Sequence, residues 1–142
     1  MFGAGAQSAA YWGGADKLTA SILFSFGEHV GIAVKLKTDL NELGKKKIVK
    51  QKIKNYELWS PICFLLHGCL PDNQRHEILK KIQNEADDPE TLNEILNLIK
   101  ENDLTDMIKS EAEKELKLAK ECLLNLEIDI RPLLPLTQFS II

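Results

Sequence analysis

Apolar residues recur at helical spacing along nearly the whole chain. After a break at Asn102 or Asp103, the last long run places six of them on one helical stripe: Leu104, Ile108, Ala112, Leu116, Ala119 and Leu123. No segment alternates apolar β-branched and polar residues over the length of a strand. The pattern therefore predicts an all-α fold whose last long helix buries this stripe.

The segment "DKLTASILFSFGEHVGIAVKLKTDLNEL" predicts one long helix. Asp16 lies near its N-terminus, where a carboxylate suits the helix dipole, and Gly44 lies just past its end. Gly27 and Gly31 lie four residues apart inside it and cost helix stability. We therefore expect a second helix to approach closely at these two glycines.

Two further helix starts have local signals. Ser60 followed by Pro61 predicts a helix that Ser60 caps, and Gly68 with Pro71 is expected to end it. Asp88 before a proline predicts the start of another helix.

The chain has 142 residues and is 44% hydrophobic, which suits a single globular domain with a core. We predict one helical domain over residues 1–142, with an irregular tail at 127–142 where prolines interrupt the helical pattern. The net charge of −3 argues against nucleic acid as the main partner. The most apolar window is interrupted by Glu28 and His29, so no membrane span is expected.

Known catalytic and metal-binding motifs are absent from the sequence. It contains no nucleophile elbow, no Gly-rich phosphate loop, no HExxH and no Cys/His constellation. Cys63, Cys69 and Cys122 lack zinc-site spacing and are typical of reduced thiols in an intracellular protein.

Charged residues emerge along the otherwise apolar stretch "HVGIAVKLKTDLNELG". Lys35, Asp39 and Glu42 share roughly one helical face there. Such a face is a site, a damaged site, or the point where a helix leaves the core. The next stretch carries six lysines between Lys45 and Lys54, which form either a solvated face or a phosphate-facing cluster.

Three segments in this order, "FGEHVGIAVKLKTDLNEL", "SPICFLL" and "AEKELKLAKECLLNL", resemble the C-terminal half of the trans-polyprenyl diphosphate synthases. The resemblance extends from "AGAQSAA" to about Leu126 and implies an antiparallel helical bundle of the isoprenoid synthase type, C-terminal half only. The family carries a G-x-x-F-Q-x-x-D-D-x-x-D motif, whose carboxylates hold magnesium ions that bridge an allylic diphosphate. The family's first Asp-rich motif would lie upstream of Met1.

This chain departs from the family motif at most of its functional positions. With Gly31 on the family's glycine, Lys35 falls on the glutamine. Thr38, Asp39 and Glu42 then fall on the three aspartates, so only one Asp is retained. The resemblance therefore implies that Asp39 and Glu42 are vestigial metal ligands, with no cofactor for this chain alone and no catalytic residue.

The phosphate-binding part of the family pattern is also altered. Matching Pro61 with the proline of the family's T-L-P segment puts Glu57 near the position of a phosphate-binding lysine, which inverts the charge. The lysines that remain as candidates for diphosphate contact are Lys45, Lys46 and Lys47.

A similarly eroded motif, followed by a Ser-x-Pro segment that ends in His, occurs in the silent second subunits of decaprenyl diphosphate synthases. The likeness implies a non-catalytic or regulatory subunit of a hetero-oligomeric polyprenyl diphosphate synthase in isoprenoid biosynthesis, where the product is the ubiquinone side chain. A homologous subunit is then the expected partner. Two alternatives remain open: a fragment or atypical member of an active magnesium-dependent trans-prenyltransferase, and an unrelated helical protein-interaction module. We expect an intracellular location, mitochondrial if an upstream segment carries a transit peptide.

Overall fold

A computed structural model describes residues 1–55 and 57–138. Within them the chain forms seven α-helices and no strand, which confirms the all-α prediction. The helices are α1 (Phe2–Trp12), α2 (Lys17–Leu43), α3 (Lys46–Lys54), α4 (Ser60–Phe64), α5 (Asp72–Glu85), α6 (Pro89–Glu101) and α7 (Leu104–Leu124). A π-helical turn (Leu65–Cys69) continues α4, and a 3₁₀ turn (Leu134–Thr137) lies in the tail, whose residues 139–142 fall outside the described part.

The chain divides into two compact units, Met1–Lys37 with the chain from Lys109 on, and Thr38–Ile108. The division falls within α2 and α7, so each unit contains part of both helices. No helix in the described residues is long and apolar enough to cross a membrane.

Three glycines allow α1 to pack closely against α2 in the first unit. A Cβ on Gly27 would lie 2.7 Å from the carbonyl oxygen of Phe2 and 2.8 Å from the Cα of Gly3. A Cβ on Gly3 would lie 2.8 Å from the carbonyl oxygen of Phe24. At Gly31 it would lie 3.1 Å from the Phe2 side chain. Only residues without a Cβ allow two backbones to approach this closely, so the close approach expected at Gly27 and Gly31 is confirmed.

The core of the first unit joins α2 and α7. Its buried residues are Phe26, Val30, Ala119 and Leu123. The same two helices are linked by a pair of polar side chains, because His29 Nδ1 lies 2.7 Å from Glu115 Oε2. These side chains are only 27% and 11% exposed, so solvent screens the contact weakly.

The core of the second unit draws on α3 to α7. Its buried residues are Val49, Ile53, Trp59, Leu65, Leu66, Leu70, Ile78, Ile82, Ile95, Ile99 and Leu104. Leu104 also begins the predicted stripe of α7, and all six residues of that stripe are buried. The helical period of the apolar residues therefore identified the buried face of α7 correctly.

Three predicted helix boundaries are confirmed. Asp16 Oδ1 accepts a hydrogen bond from the Thr19 backbone N at 2.7 Å as α2 begins. Asp88 Oδ2 accepts one from the Thr91 backbone N at 2.9 Å as α6 begins. Asp103 adopts φ +50° in the break before α7. The first two boundaries depend on a side chain three residues from the N–H that it caps, and the third on the backbone of a single residue, so local sequence suffices to place them.

Of the two boundary predictions around α4, the Ser60 cap was wrong, and the end at Gly68 with Pro71 was confirmed only for Pro71. Ser60 is the first residue of α4 and does not cap it, because its hydroxyl donates to Asp39. Gly68 does not end the helix, because it lies within the π-helical turn. A hydrogen bond from Leu70 N to Leu65 O, at 3.1 Å, closes this wider turn. The chain therefore stays helical through Gly68 and turns away just before Pro71.

Candidate functional site

Asp39 lies near the end of α2 and holds the start of α4. The residue has no exposed surface. Its Oδ2 accepts hydrogen bonds from the Ser60 backbone N at 2.9 Å and from the Ser60 hydroxyl at 2.5 Å. A carboxylate in this position satisfies a backbone N–H that the helix leaves unpaired, and it complements the positive end of the helix dipole. Asp39 thus caps α4 from a different helix.

Lys52 on α3 lies between two carboxylates. Its Nζ is 3.2 Å from Glu42 Oε2 and 3.1 Å from Glu57 Oε2. Burial alone would lower the pKa of Lys52, but the hydrogen bond to Glu57 and the nearby carboxylate of Glu42 outweigh it and raise this pKa. Glu42, the second candidate metal ligand, is therefore engaged with a cation of its own chain.

The lysines at 45–47 are exposed at the start of α3. Among the described residues their ammonium groups have no hydrogen-bond or ion-pair partner. The later lysines of the same helix are paired: Lys50 and Lys54 lie 3.3 Å and 2.7 Å from carboxylate oxygens of Asp87. The sequence predicted a cluster of six lysines, and the structure separates it into an unpaired half and a paired half.

The residues at the motif positions do not fit a magnesium site. Magnesium requires near-octahedral coordination by oxygen atoms, usually including water. Asp39 is enclosed and already accepts two hydrogen bonds, and Glu42 pairs with Lys52. In the part of the chain that the structure describes, no group of three or more His, Cys, Asp or Glu residues could hold a metal ion. Whether Asp39 and Glu42 are vestigial ligands stays a prediction. In the structure Asp39 caps a helix and Glu42 forms an ion pair.

An apolar cavity of about 190 Å³ is a feature that the sequence did not reveal. Its walls come from α3, α4, the π-helical turn and α5, together with the loop before α4. Trp59 of that loop lines the cavity and is only 1% exposed. Its Nε1 donates to no acceptor within residues 1–55 and 57–138. A buried indole N–H usually has a hydrogen-bond partner. The unpaired Nε1 of Trp59 is therefore an unusual feature of this wall.

The candidate residues therefore have three different surroundings. Asp39 is enclosed in the second unit, Glu42 is held by Lys52, and the lysines at 45–47 face solvent. Such an arrangement can support a helix and attract an anion. Compared with known proteins, the chain matches no family model, and no curated protein and no solved structure matches it.

Proposed function

We propose that this chain is the C-terminal half of a polyprenyl diphosphate synthase-like protein of the isoprenoid synthase fold type. It acts as a non-catalytic or regulatory subunit that associates with an active homologue in isoprenoid biosynthesis. The expected product of the pair is a long polyprenyl chain such as that of ubiquinone.

The role of Asp39 carries this proposal. It is the one aspartate retained at the motif positions, and its carboxylate is bound to Ser60 with no surface exposed. A catalytic member of the family needs that carboxylate facing a metal and a diphosphate. Because Asp39 caps a helix instead, it supports the proposal that this protein retains the packing of the family without the metal site.

The surface of α1 supports a role in association. Phe2 is 53% exposed, Tyr11 is 48% exposed and Trp12 is 94% exposed. The helix contains no charged side chain. An exposed uncharged helix with aromatic residues at both ends is typical of a surface that a partner covers. The same observation favours the second candidate, a helical protein-interaction module outside the polyprenyl synthase family.

The test is incorporation of labelled isopentenyl diphosphate into polyprenyl product in the presence of magnesium. The chain is assayed alone and mixed with an active homologous subunit from the same source, and size-exclusion chromatography of the mixture reports complex formation. We expect no product from the chain alone, a complex in the mixture, and a change in the amount or length of the product.

Each result distinguishes the candidates. Product from the chain alone would overturn the silent-subunit proposal and favour a magnesium-dependent trans-prenyltransferase, for which Asp39→Asn should abolish activity. If the chain is silent, Asp39→Asn should leave the activity of the mixture unchanged. Absence of product together with absence of a complex would contradict the proposal and favour the interaction module.

The exposed lysines allow a separate test of diphosphate binding. Changing the three lysines at 45–47 to glutamine should weaken binding of inorganic diphosphate, measured by isothermal titration calorimetry, if they contact phosphate. The matched control changes three exposed lysines of α7, namely Lys114, Lys117 and Lys120, so the net charge falls equally. Equal effects of the two triple variants would show that these lysines act only through the net charge. Neither variant should change the free energy of unfolding by more than about 0.5 kcal/mol.

A further inference from the structure

The apolar cavity of the second unit has the size of a small-molecule site. Its volume of about 190 Å³ is somewhat larger than the roughly 150 Å³ that accommodates benzene in an engineered protein cavity. Its lining is mostly apolar and includes Ile53, Ile62, Leu66 and Ile82. Apolar walls with few polar groups are typical of sites for small organic ligands.

One residue of the cavity wall carries an unused hydrogen-bond donor that is buried behind the wall surface. Trp59 lines the cavity, and its Nε1 is buried without an acceptor in the described residues. An unpaired buried donor is unfavourable, so a ligand that supplies an oxygen acceptor gains affinity over one that does not. Because this nitrogen is buried, the indole ring must rotate toward the cavity when the ligand binds.

The charges at the cavity argue against an anionic ligand. Lys52 and Glu57 both line it, and their charged groups pair at 3.1 Å. The pair is neutral as a whole, and Glu42 adds a second carboxylate next to Lys52 at 3.2 Å. A diphosphate entering here would meet carboxylates and an already neutralised lysine, which costs affinity.

We propose that this cavity binds a small uncharged apolar molecule that carries one oxygen acceptor, which pairs with Trp59 Nε1. The site is separate from the exposed lysines at 45–47, which do not line the cavity. The inference does not depend on the proposed function, because it rests only on the wall, the donor and the charges of the second unit.

The experiment uses the full ¹⁵N-labelled chain and NMR detection of its two indole N–H signals. Trp12→Phe assigns the Trp59 signal, and in the wild-type spectrum the exposed Trp12 is an internal control. The probe is acetophenone, and the matched control is ethylbenzene, which has the same ring and chain length without the carbonyl oxygen. We expect acetophenone to move the Trp59 signal downfield and saturably, with Kd of about 1 mM. Ethylbenzene should bind about tenfold more weakly.

Two variants locate the binding. Cys63→Leu fills part of the cavity and should abolish the response, while Cys122→Leu, in the other unit, should leave it unchanged. If Cys63→Leu does not fold cooperatively, Trp59→Phe replaces it. That variant removes the donor and keeps a ring, so it should bind the two probes equally, as read from backbone signals of the cavity walls.

Several results would overturn the inference. They are no saturable movement of the Trp59 signal, equal affinity for the two probes in the wild type, or an unchanged response in folded Cys63→Leu. Inorganic diphosphate should leave the Trp59 signal in place, so a saturable movement with diphosphate would contradict the charge argument. A negative result here leaves the subunit proposal standing, because that proposal is tested by complex formation and product synthesis.

Discussion

Asp39 has no exposed surface, and replacing it by alanine removes the acceptor of both donors of the half-buried Ser60. Loss of a helix cap costs about 1 kcal/mol. Leaving these half-buried donors without an acceptor adds about 1–3 kcal/mol. We therefore expect Asp39→Ala to lower the free energy of unfolding by about 3 kcal/mol. For a chain of this length, that corresponds to a fall in Tm of about 10 °C.

Two matched variants separate the buried cap from an ordinary one. Asp88 also accepts a backbone hydrogen bond, from Thr91 N at 2.9 Å, but it is exposed. Asp88→Ala should therefore cost only about 1 kcal/mol. Asp39→Asn keeps an oxygen acceptor and loses the charge, so it should cost less than Asp39→Ala.

The measurement is urea denaturation followed by far-UV circular dichroism. A cost for Asp39→Ala no greater than that for Asp88→Ala would refute the cap assignment. The double variant with Ser60→Ala adds a sharper test, because the two single effects should be non-additive by about 1 kcal/mol or more. If Asp39 instead held magnesium, millimolar magnesium would raise the Tm of the wild type and not of Asp39→Asn.

Three further outcomes follow from contacts elsewhere in the chain. Gly27→Ala puts a Cβ 2.7 Å from a carbonyl oxygen of α1 and should lower the free energy of unfolding in urea by about 2 kcal/mol. In the control variant Gly5→Ala the added Cβ meets open space, so the free energy of unfolding should rise by roughly 0.5–1 kcal/mol. The hydrogen bond from Lys54 is the main cause of the lowered pKa of Asp87. The stabilisation by Asp87 is therefore fully present above the ordinary pKa of 3.8. It is lost as the pH falls through the lower pKa of the folded state. Asp87→Asn should accordingly lower the Tm at neutral pH and leave it unchanged at the most acidic pH at which the protein folds. Burial raises the pKa of the Cys122 thiol, so its alkylation by iodoacetamide should need a higher pH in the folded chain than in urea.

The position of α1 illustrates a feature that sequence indicated only in part. The spacing of Gly27 and Gly31 predicted that some helix approaches α2 closely, and the period of the apolar residues predicted α2 itself. That α1 is the partner depends on a third glycine, Gly3, whose missing Cβ leaves room for the carbonyl of Phe24. The pairing of two distant helices depends on the shapes of both surfaces, so a pattern along one of them does not identify the other.

The sequence predicted which residues are candidates for a site, but it did not predict their contacts with one another. Alignment with a metal motif selected Asp39 and Glu42, and the six lysines between Lys45 and Lys54 were evident as a cluster. Their partners are distant in the chain: Asp39 binds Ser60, 21 residues later, and Lys50 and Lys54 bind Asp87. Burial and pairing decide what a carboxylate does, and both depend on contacts that only folding creates.

The amino-acid sequence by itself determined the all-α class, the buried stripe of α7, and those helix ends whose cap lies within three residues. These features depend on interactions between near neighbours, which follow from helical periodicity and backbone hydrogen bonding. The tertiary structure alone decided that Asp39 caps α4, that Glu42 shares Lys52 with Glu57, and that an apolar cavity forms beside Trp59. Each of these requires residues far apart in sequence to meet, because burial and charge pairing are properties of the packed chain.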